Sequence, residues 1–219
     1  MSPKSPLSPT TRSTPRRHRE RARDDRAELH ALLDEALICH LGVIAGDAPL
    51  VLPTCYGRLE DTVYLHGSSA AVSLRSGAQA PVCVTVTLLD GLVYARSVFS
   101  HSANYRSAVV HGDARLVTEA DEKLDALRAI VEHTTPGSWD HARQPSRKEL
   151  AATAVLALDL TEASVKVRTG APADEEADVA TGAAWAGVLP VRTTFDKPDP
   201  CPLLPPGVEP PAHVLARVG

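Results

Sequence analysis

Apolar positions along the chain follow two different periods. From Leu29 to Leu37, apolar residues recur at the i, i+3 and i+4 spacing of one helical face, and Asp24-Asp25 just before them provide an N-cap. From Ile38 the pattern changes to short apolar runs separated by turn residues, which is typical of an antiparallel barrel or sandwich. The predicted strands are 39–44, 50–56, 62–66, 82–89, 92–99, 107–117 and 154–160.

Asp90-Gly91 is the sharpest turn signal in the chain. It separates the apolar runs VCVTVTLL and LVYARSVF, and an Asp-Gly pair in such a place favours a two-residue type I′ hairpin. Two helices are predicted between the strands, a short one over 70–76 and a longer one over 119–133. The sequence therefore predicts a mainly β fold with flanking helices.

The two ends of the chain differ from its centre. Residues 1–23 are rich in Pro, Ser, Thr and Arg and contain almost no large apolar side chains, which predicts a disordered basic arm. Residues 171–185 carry four acids and the end from Pro190 is rich in proline, so both are predicted to be extended surface segments. These boundaries give a folded domain over 24–191 and a Pro-rich tail over 192–219.

Composition narrows the classes of function. The 219 residues carry a formal net charge of −4, which argues against a dedicated nucleic-acid binder. No apolar run approaches the about 20 residues that span a bilayer, and the N-terminus lacks the apolar centre of a secretory signal, so we expect a cytoplasmic protein without a membrane partner. The four cysteines form no CxxC pair and the nine histidines show no metal-binding spacing, which favours buried thiols over a zinc site.

The first candidate site is the strand, loop and helix around His66-Gly67-Ser68-Ser69. Backbone N–H groups and serine hydroxyls meet there at the start of a predicted helix, and Arg75 follows about two turns later. Such a point binds an anion, most often a phosphate. An ordinary serine-capped helix has the same pattern, so both interpretations stay open.

The second candidate is the polar cluster 100–107. Tyr105, Arg106 and Ser107 begin a strand there and supply directed donors and an aromatic face, which can orient a ligand in an apolar cleft. A polar loop tip is the alternative. Arg96, in the apolar run before this cluster, needs either a carboxylate or a ligand as its partner if it is buried.

The third candidate is 164–168, whose alternation places Ser164, Lys166 and Arg168 on one face of a strand. Two cations on one face can neutralise a dianion or stabilise a negatively charged reduced cofactor. A solvated outer face is the alternative.

Seven motifs along the chain share one further pattern. They are VLPTCY at 51–56, YLHGS at 64–68, VCVTVTLLDGL at 82–92, NYRS at 104–107, EK at 122–123, SVKVR at 164–168 and WAG at 185–187. Their order and spacing resemble the FMN-binding split-barrel superfamily, the pyridoxamine 5′-phosphate oxidase-like group, and within it the branch of nitroimidazole-reductase-like flavin-nucleotide-binding proteins.

This resemblance implies a six-stranded antiparallel split β-barrel that forms a homodimer, with one flavin, FMN or else FAD, at each end of the interface. Members of the branch often have an arginine after the Gly-Ser pair, where this chain has Val72 and only Arg75 follows. The same resemblance implies four groups of contacts with the flavin. The isoalloxazine edge is lined by Pro53, Thr54, Cys55 and Tyr56, and the ring and its phosphate are approached by His66, Gly67, Ser68 and Ser69. The phosphate and ribityl chain are contacted by Tyr105, Arg106 and Ser107, and the site is closed by Lys166, Arg168 and Trp185.

The resulting hypothesis is a flavin-dependent oxidoreductase that takes electrons from a nicotinamide-type reductant and reduces a small electron-poor substrate or dioxygen. His66 beside the ring is the candidate catalytic residue, as a proton donor. The rival hypothesis is a non-catalytic flavin- or haem-binding protein of the same fold, with His101, His111 or His66 as axial haem ligand. A third is a dimeric scaffold that binds no cofactor.

Overall fold

The computed structural model describes residues 6–78, 80–182 and 184–219. Its strands are β1 Ala22–Arg23, β2 Ile38–Ala45, β3 Ala48–Leu59, β4 Thr62–Ser68, β5 Val82–Tyr94, β6 Ser102–Gly112, β7 Arg115–Leu116, β8 Thr153–Asp159, β9 Ala163–Arg168 and β10 Gly187–Pro190. Its α-helices are α1 Arg26–Glu35, α2 Val72–Gly77, α3 Ala120–Thr134, α4 Ser138–His141, α5 Arg147–Ala152, α6 Glu176–Thr181 and α7 Ala212–Leu215.

The strands join edge to edge in the order β1-β9-β6-β5-β2-β3-β4-β8-β7, and β10 pairs with the end of β5. β3 belongs to both halves of this sheet, because its first part pairs with β2 and its last part with β4. Side chains from the two halves, such as Val84, Val110 and Leu158, meet in one interior core. The fold is a split β-barrel, as the sequence predicts, with ten strands in the described residues where six were expected.

The predicted amphipathic helix is confirmed as α1. The Asp25 carboxylate caps it by accepting the Ala27 N–H at 2.8 Å. Leu29, Leu32 and Leu33 are buried in the interior core, so the helix packs against the barrel with the apolar stripe seen in the sequence.

The predicted hairpin at Asp90-Gly91 is wrong. β5 runs through both residues, and only a bulge around Asp90 shifts its register with β6. β10 occupies the edge of β5 there, and a Cβ added at Gly91 would lie 3.0 Å from Val188 Cγ1 and 3.1 Å from the Leu189 carbonyl oxygen. Gly91 therefore permits close strand packing, and the chain reverses later, at 95–101.

The sequence predicts a disordered arm over 1–23, whereas its described part, 6–23, packs along β9. Leu7 is only 4% exposed and belongs to the interior core. Arg12 forms an ion pair with Glu162 at 2.5 Å, and β1 adds a short strand to the edge of β9. One buried leucine and these polar contacts order a segment whose composition alone indicates disorder; its first five residues lie outside the described part.

Residues 136–185 contain more helix than the sequence analysis predicts. α4 and α5 follow α3, and the Ser146 hydroxyl and the Glu149 carboxylate form a capping box at the start of α5. α6 lies in the acidic segment that was expected to be extended, and Asp174 before it binds Arg96 at 2.6 Å. Among the described residues, no helix combines the length and the apolar character needed to cross a membrane.

Candidate functional site

β6 and β9 present alternate side chains on two opposite faces. Ala108, Val110 and Val165 point into the interior core, where each is 1% exposed. The residues between them face away from the core, and we call this surface the β6–β9 outer face. Its cross-strand pairs are Tyr105 with Arg168, Ser107 with Lys166, and Val109 with Ser164, and His111 follows on β6.

Four of the predicted cofactor-binding residues therefore lie together. Tyr105, Ser107, Lys166 and Arg168 form two adjacent cross-strand pairs on the β6–β9 outer face. Directly opposite residues in an antiparallel pair have Cβ atoms about 4.5–5.5 Å apart, so these side chains share one patch. The patch supplies an aromatic ring, a hydroxyl and two cations.

Arg168 is the buried cation of this patch, with 8% of its surface exposed. Its guanidinium donates to the side-chain oxygen of Asn104 and, at 3.5 Å, to the Ala171 carbonyl, and in the part of the chain that the structure describes it makes no ion pair with a carboxylate. Burial lowers the pKa of Arg168, because the charged form loses hydration. A buried charge without a counter-charge is costly, so this position favours a bound anion.

Pro53 and Cys55 lie on the same side of the sheet as this patch, but several strands away. Pro53 pairs with His40, His40 with Thr85, and Thr85 with Val109 of the β6–β9 outer face. At about 4.8 Å for each strand, Pro53 is about 14 Å from Val109. One subunit therefore does not bring all the predicted flavin contacts into one cleft.

Thr54 and Tyr56 face the opposite way from Pro53. The Thr54 hydroxyl donates to the Cys55 carbonyl at 3.2 Å. The Tyr56 ring is fully buried, and its hydroxyl lies 2.5 Å from the carbonyl oxygen of Leu33 and 2.6 Å from that of Ala36. In this chain Tyr56 fastens β3 to the end of α1.

Arg106 is held by two carboxylates. Its guanidinium donates to Glu35 at 2.7 Å and to Asp90 at 2.9 Å. Hydrogen bonds to Glu35 and then Asp90 raise the pKa of Arg106. These contacts tie β6 to the end of α1 and to the β5 bulge, and they use the N–H groups that the resemblance assigns to a phosphate.

His66 lies on the other half of the sheet, on the face of β4 that is turned away from the interior core. Its neighbour Leu65 belongs to that core, whereas Tyr64 packs against Ile130 of α3. Beside His66 is a cavity of about 270 Å³ between β4, α3 and the segment 138–150, which we call the His66 cavity. Its apolar walls are Leu127, Val131, Trp139, Ala142, Pro145 and Leu150, and its polar members besides His66 are Ser138, Arg143, Gln144, Glu149 and Thr153.

The His66 imidazole is unusual in having an unused polar atom. Its Nδ1 is buried and has no hydrogen-bond partner among the described residues. Burial lowers the pKa of His66, which keeps the ring neutral. A neutral imidazole binds a metal through the ring nitrogen that lacks the proton, and the unpartnered Nδ1 does not fix which nitrogen of His66 that is.

Gly67, Ser68 and Ser69 follow His66 along β4 and its loop. The Ser68 hydroxyl accepts a backbone N–H two residues later at 3.2 Å, and the Ser69 N–H donates to the Ala152 carbonyl at 2.9 Å. α2 has only six residues and no side-chain cap, and Arg75 on it is exposed. These hydrogen bonds form a tight turn that is joined to the end of α5.

Trp185 lies apart from both groups, at the β5–β10 edge. It is 70% exposed, and its ring centroid is 5.9 Å from that of Tyr94. His101, one of the candidate haem ligands, also contacts this tyrosine, with its ring centroid 5.9 Å away, and its Nδ1 accepts the Ala95 N–H at 2.9 Å.

Sequence reasoning missed residues near both groups. Arg12 lies against Glu162 beside the β6–β9 outer face, and no local signal in the arm indicates this contact. Trp139 and Arg143 lie beside His66, although the only signal for them is an aromatic residue after the Pro136-Gly137 turn.

The described residues thus combine a split barrel, a sheet face with a buried arginine, and an apolar cavity beside a histidine whose buried Nδ1 has no hydrogen-bond partner among them. The family model described as pyridoxamine 5′-phosphate oxidase matches residues 25–167, and the chain belongs to this family. No curated protein sequence gives a significant match.

Three solved structures are similar to this chain. The flavocytochrome Anf3 from Azotobacter vinelandii is 39% identical, with a TM-score of 0.90 and with 99% of this chain and 100% of that chain covered. The FAD and haem binding protein from Mycobacterium smegmatis is 35% identical, with a TM-score of 0.86 and coverage of 91% and 98%. A protein from Bacteroides thetaiotaomicron assigned to 5-nitroimidazole antibiotic resistance is 23% identical, with a TM-score of 0.57 and coverage of 67% and 86%, and it shows the shared fold alone.

Proposed function

We propose that this protein is a flavin- and haem-binding oxidoreductase that works as a homodimer. Two relatives that are similar over nearly their whole length are described as a flavocytochrome and as an FAD and haem binding protein. The observation that carries the proposal is that the described residues hold a chemically suitable place for each group. Among them, Arg168 is buried without a carboxylate partner and His66 has a buried ring nitrogen without a hydrogen-bond partner.

The β6–β9 outer face fits a flavin. Arg168 and Lys166 balance the charge of a phosphate or of a reduced flavin, the Ser107 hydroxyl is a further hydrogen-bond partner, and the Tyr105 ring offers an apolar surface. FAD is the flavin that we propose in place of FMN, because the named relative from Mycobacterium smegmatis binds FAD. Tyr56 and Arg106 are left out of the proposed site, since their polar groups are engaged within the chain.

The His66 cavity fits a haem through the chemistry of its walls. Neutral His66 would supply a ring nitrogen to the iron, and the apolar side chains would exclude water. Arg143 at the rim now pairs with Glu149 at 2.7 Å, and because this ion pair is exposed, a propionate could replace Glu149 at little cost. The volume of about 270 Å³ is below the about 300–1,000 Å³ typical of ligand pockets, so haem entry requires the segment 138–150 to shift outward. We prefer His66 to His101 as ligand because the His101 Nδ1 is already bonded.

A homodimer accounts for the apolar side chains beside the flavin face. Ile38, Ile44 and Val51 are 45%, 53% and 62% exposed and continue the same side of the sheet on β2 and β3. Coverage by a second copy would remove these side chains from water and bring a second set of flavin contacts to the cleft.

A bound flavin supplies one- and two-electron transfer, and a bound haem supplies one-electron and dioxygen chemistry. Within this arrangement, the residues of the chain bind and orient the two groups and shield them from water. We propose a nicotinamide-type reductant and a small electron acceptor, dioxygen included, as the reaction partners.

The test is the absorption spectrum of the purified protein, followed by release of the chromophores and their identification by mass. We expect both a flavin band and a Soret band, an FAD mass, and bleaching of the flavin band by NADH or NADPH without oxygen. A colourless protein that gains neither band after incubation with FAD and haem would overturn the proposal.

A further inference from the structure

The arm covers part of the β6–β9 outer face and leaves a cavity of about 240 Å³ beneath it, which we call the arm cavity. Residues 12–15 form one wall, and side chains of β6 and β9, including Ser107, Ser164 and Lys166, form the other. The cavity therefore exists only because the arm is ordered.

Three contacts hold the arm over this cavity. The Ser8 N–H donates to the Ala163 carbonyl at 2.7 Å. Arg12 donates through Nε to Glu162 at 2.7 Å, and the Lys166 ammonium donates to a backbone carbonyl of the arm at 3.3 Å. Because Lys166 carries three N–H bonds, it can hold the arm and still donate to a ligand.

The walls of the arm cavity carry positive charge and polar groups of two kinds. Lys166 is cationic and the Ser164 hydroxyl can donate, whereas the Thr14 and Ser107 hydroxyls already donate to backbone carbonyls and can accept from a ligand hydroxyl. Glu162 balances Arg12, but the described part of the arm, 6–23, holds six arginines against a single acid, Glu20. This chemistry suits a phosphate with an attached ribose.

The arm cavity also continues the proposed flavin face. Ser107 and Lys166 line both, and the Tyr105–Arg168 pair lies two residues along the strands, about 6.6 Å away. At about 240 Å³ the cavity is smaller than the about 300 Å³ at which whole-ligand pockets begin, so it suits part of a ligand that extends from the neighbouring face.

We propose that the arm cavity binds the adenosine-phosphate half of FAD, with Lys166 at the second phosphate and the arm closing over the ribose and base. This inference rests on the proposed flavin site, which would hold the isoalloxazine ring and the first phosphate. The inference adds a preference between the two flavins. FMN lacks the adenosine-phosphate group that would fill the arm cavity, so the arm would favour FAD over FMN.

The test compares the affinities for FAD and FMN, measured by quenching of flavin fluorescence on titration into the cofactor-free full-length protein. Arg12→Gln removes the ion pair that holds the arm, and Ser164→Ala removes one hydroxyl of the wall. The matched control is Arg128→Gln, which breaks another exposed ion pair, with Asp140, on α3.

We expect the wild type to bind FAD about 10-fold more tightly than FMN, and Arg12→Gln to weaken FAD about 10-fold while FMN changes less than about 2-fold. Ser164→Ala should weaken FAD by a few fold, and the control should change neither. Equal affinity of the wild type for both flavins, or equal weakening of both by Arg12→Gln, would overturn the inference and leave the flavin site in place.

A separate nucleotide is the other source of the same chemistry. AMP and NADH are therefore titrated into wild-type protein already loaded with FAD or FMN. We expect AMP to bind the FMN-loaded protein only, since FAD fills the arm cavity. If AMP or NADH binds the FAD-loaded protein as tightly as the FMN-loaded protein, the arm cavity belongs to a separate nucleotide and the inference is overturned. If the wild type binds neither flavin, the proposed function itself is refuted.

Discussion

The β6–β9 outer face and the His66 cavity belong to different halves of one sheet, and both are turned away from its interior core. The outer face places Lys166 and Arg168 side by side, and Arg168 forms no ion pair with a carboxylate in residues 6–78, 80–182 and 184–219. The His66 cavity instead surrounds one neutral imidazole with apolar walls. The two halves of one sheet therefore present different chemistry on their outward sides, a cationic surface on one and an apolar cavity with a histidine on the other.

The substitution expected to separate the two regions most strongly is His66→Ala. It removes the proposed axial nitrogen, so haem affinity should fall at least about 100-fold, while flavin affinity stays within about 2-fold. The Soret band and the flavin band of one preparation measure both. His101→Ala is the matched control, and loss of the Soret band in that variant alone would assign the ligand to His101.

On the outer face, Arg168→Gln tests the buried cation. Loss of a charge-assisted hydrogen bond of about 1.5–3 kcal/mol should weaken flavin binding about 10- to 100-fold and leave the Soret band unchanged. Arg106→Gln is the control on the neighbouring strand, since Glu35 and Asp90 occupy its guanidinium, and it should retain flavin fully. Equal losses of flavin in the two variants would contradict the distinction drawn between them.

Tyr56→Phe tests whether Tyr56 belongs to the interior core or to the flavin site. The hydroxyl is buried between the Leu33 and Ala36 carbonyls, so its removal should lower the free energy of unfolding by about 1–3 kcal/mol. Urea denaturation measures this loss. Because the ring lies in the interior core, we expect no change in flavin affinity or spectrum, and a shifted flavin spectrum would return Tyr56 to the cofactor edge.

The smallest expected effect is a pH dependence specific to the cavity. Since burial lowers the pKa of folded His66 below its usual 6.5, the unfolded chain binds the proton more readily, and stability falls as pH drops below about 6.5. In cofactor-free protein, the urea midpoint of the wild type should therefore fall more between pH 7.5 and 5.5 than that of His66→Gln. Parallel shifts in the two proteins would remove His66 as the cause.

The fold was predictable where the signal is local. α1 was found because its cap and its apolar stripe lie within a dozen residues, and β9 because the alternation of 164–168 is a short-range pattern. The strand predicted over 107–117 overlaps β6 only in part, since β6 spans Ser102–Gly112. The Asp90-Gly91 hairpin failed because β10, almost a hundred residues later, pairs with the edge of β5 and keeps it extended. The local turn preference is weaker than that distant pairing.

The candidate site was predictable to a similar extent. Lys166 and Arg168 were placed correctly on one face by their spacing, but the engagement of Arg106 depends on Glu35, which lies 71 residues away in sequence. The His66 cavity depends on α4 and α5, which the sequence analysis did not predict. The residue types indicated which chemistry each side chain can perform. Whether a side chain is already engaged in a hydrogen bond or an ion pair depends on partners that lie far away in the sequence.

The contact between the arm and β9 also determines how late in synthesis the arm can dock. Arg12 and Glu162 are 150 residues apart, so the arm has no strand to dock on until residues up to β9 have been synthesised. A bulky tag fused ahead of Leu7, whose side chain must enter the core, would delay or prevent this last step of assembly.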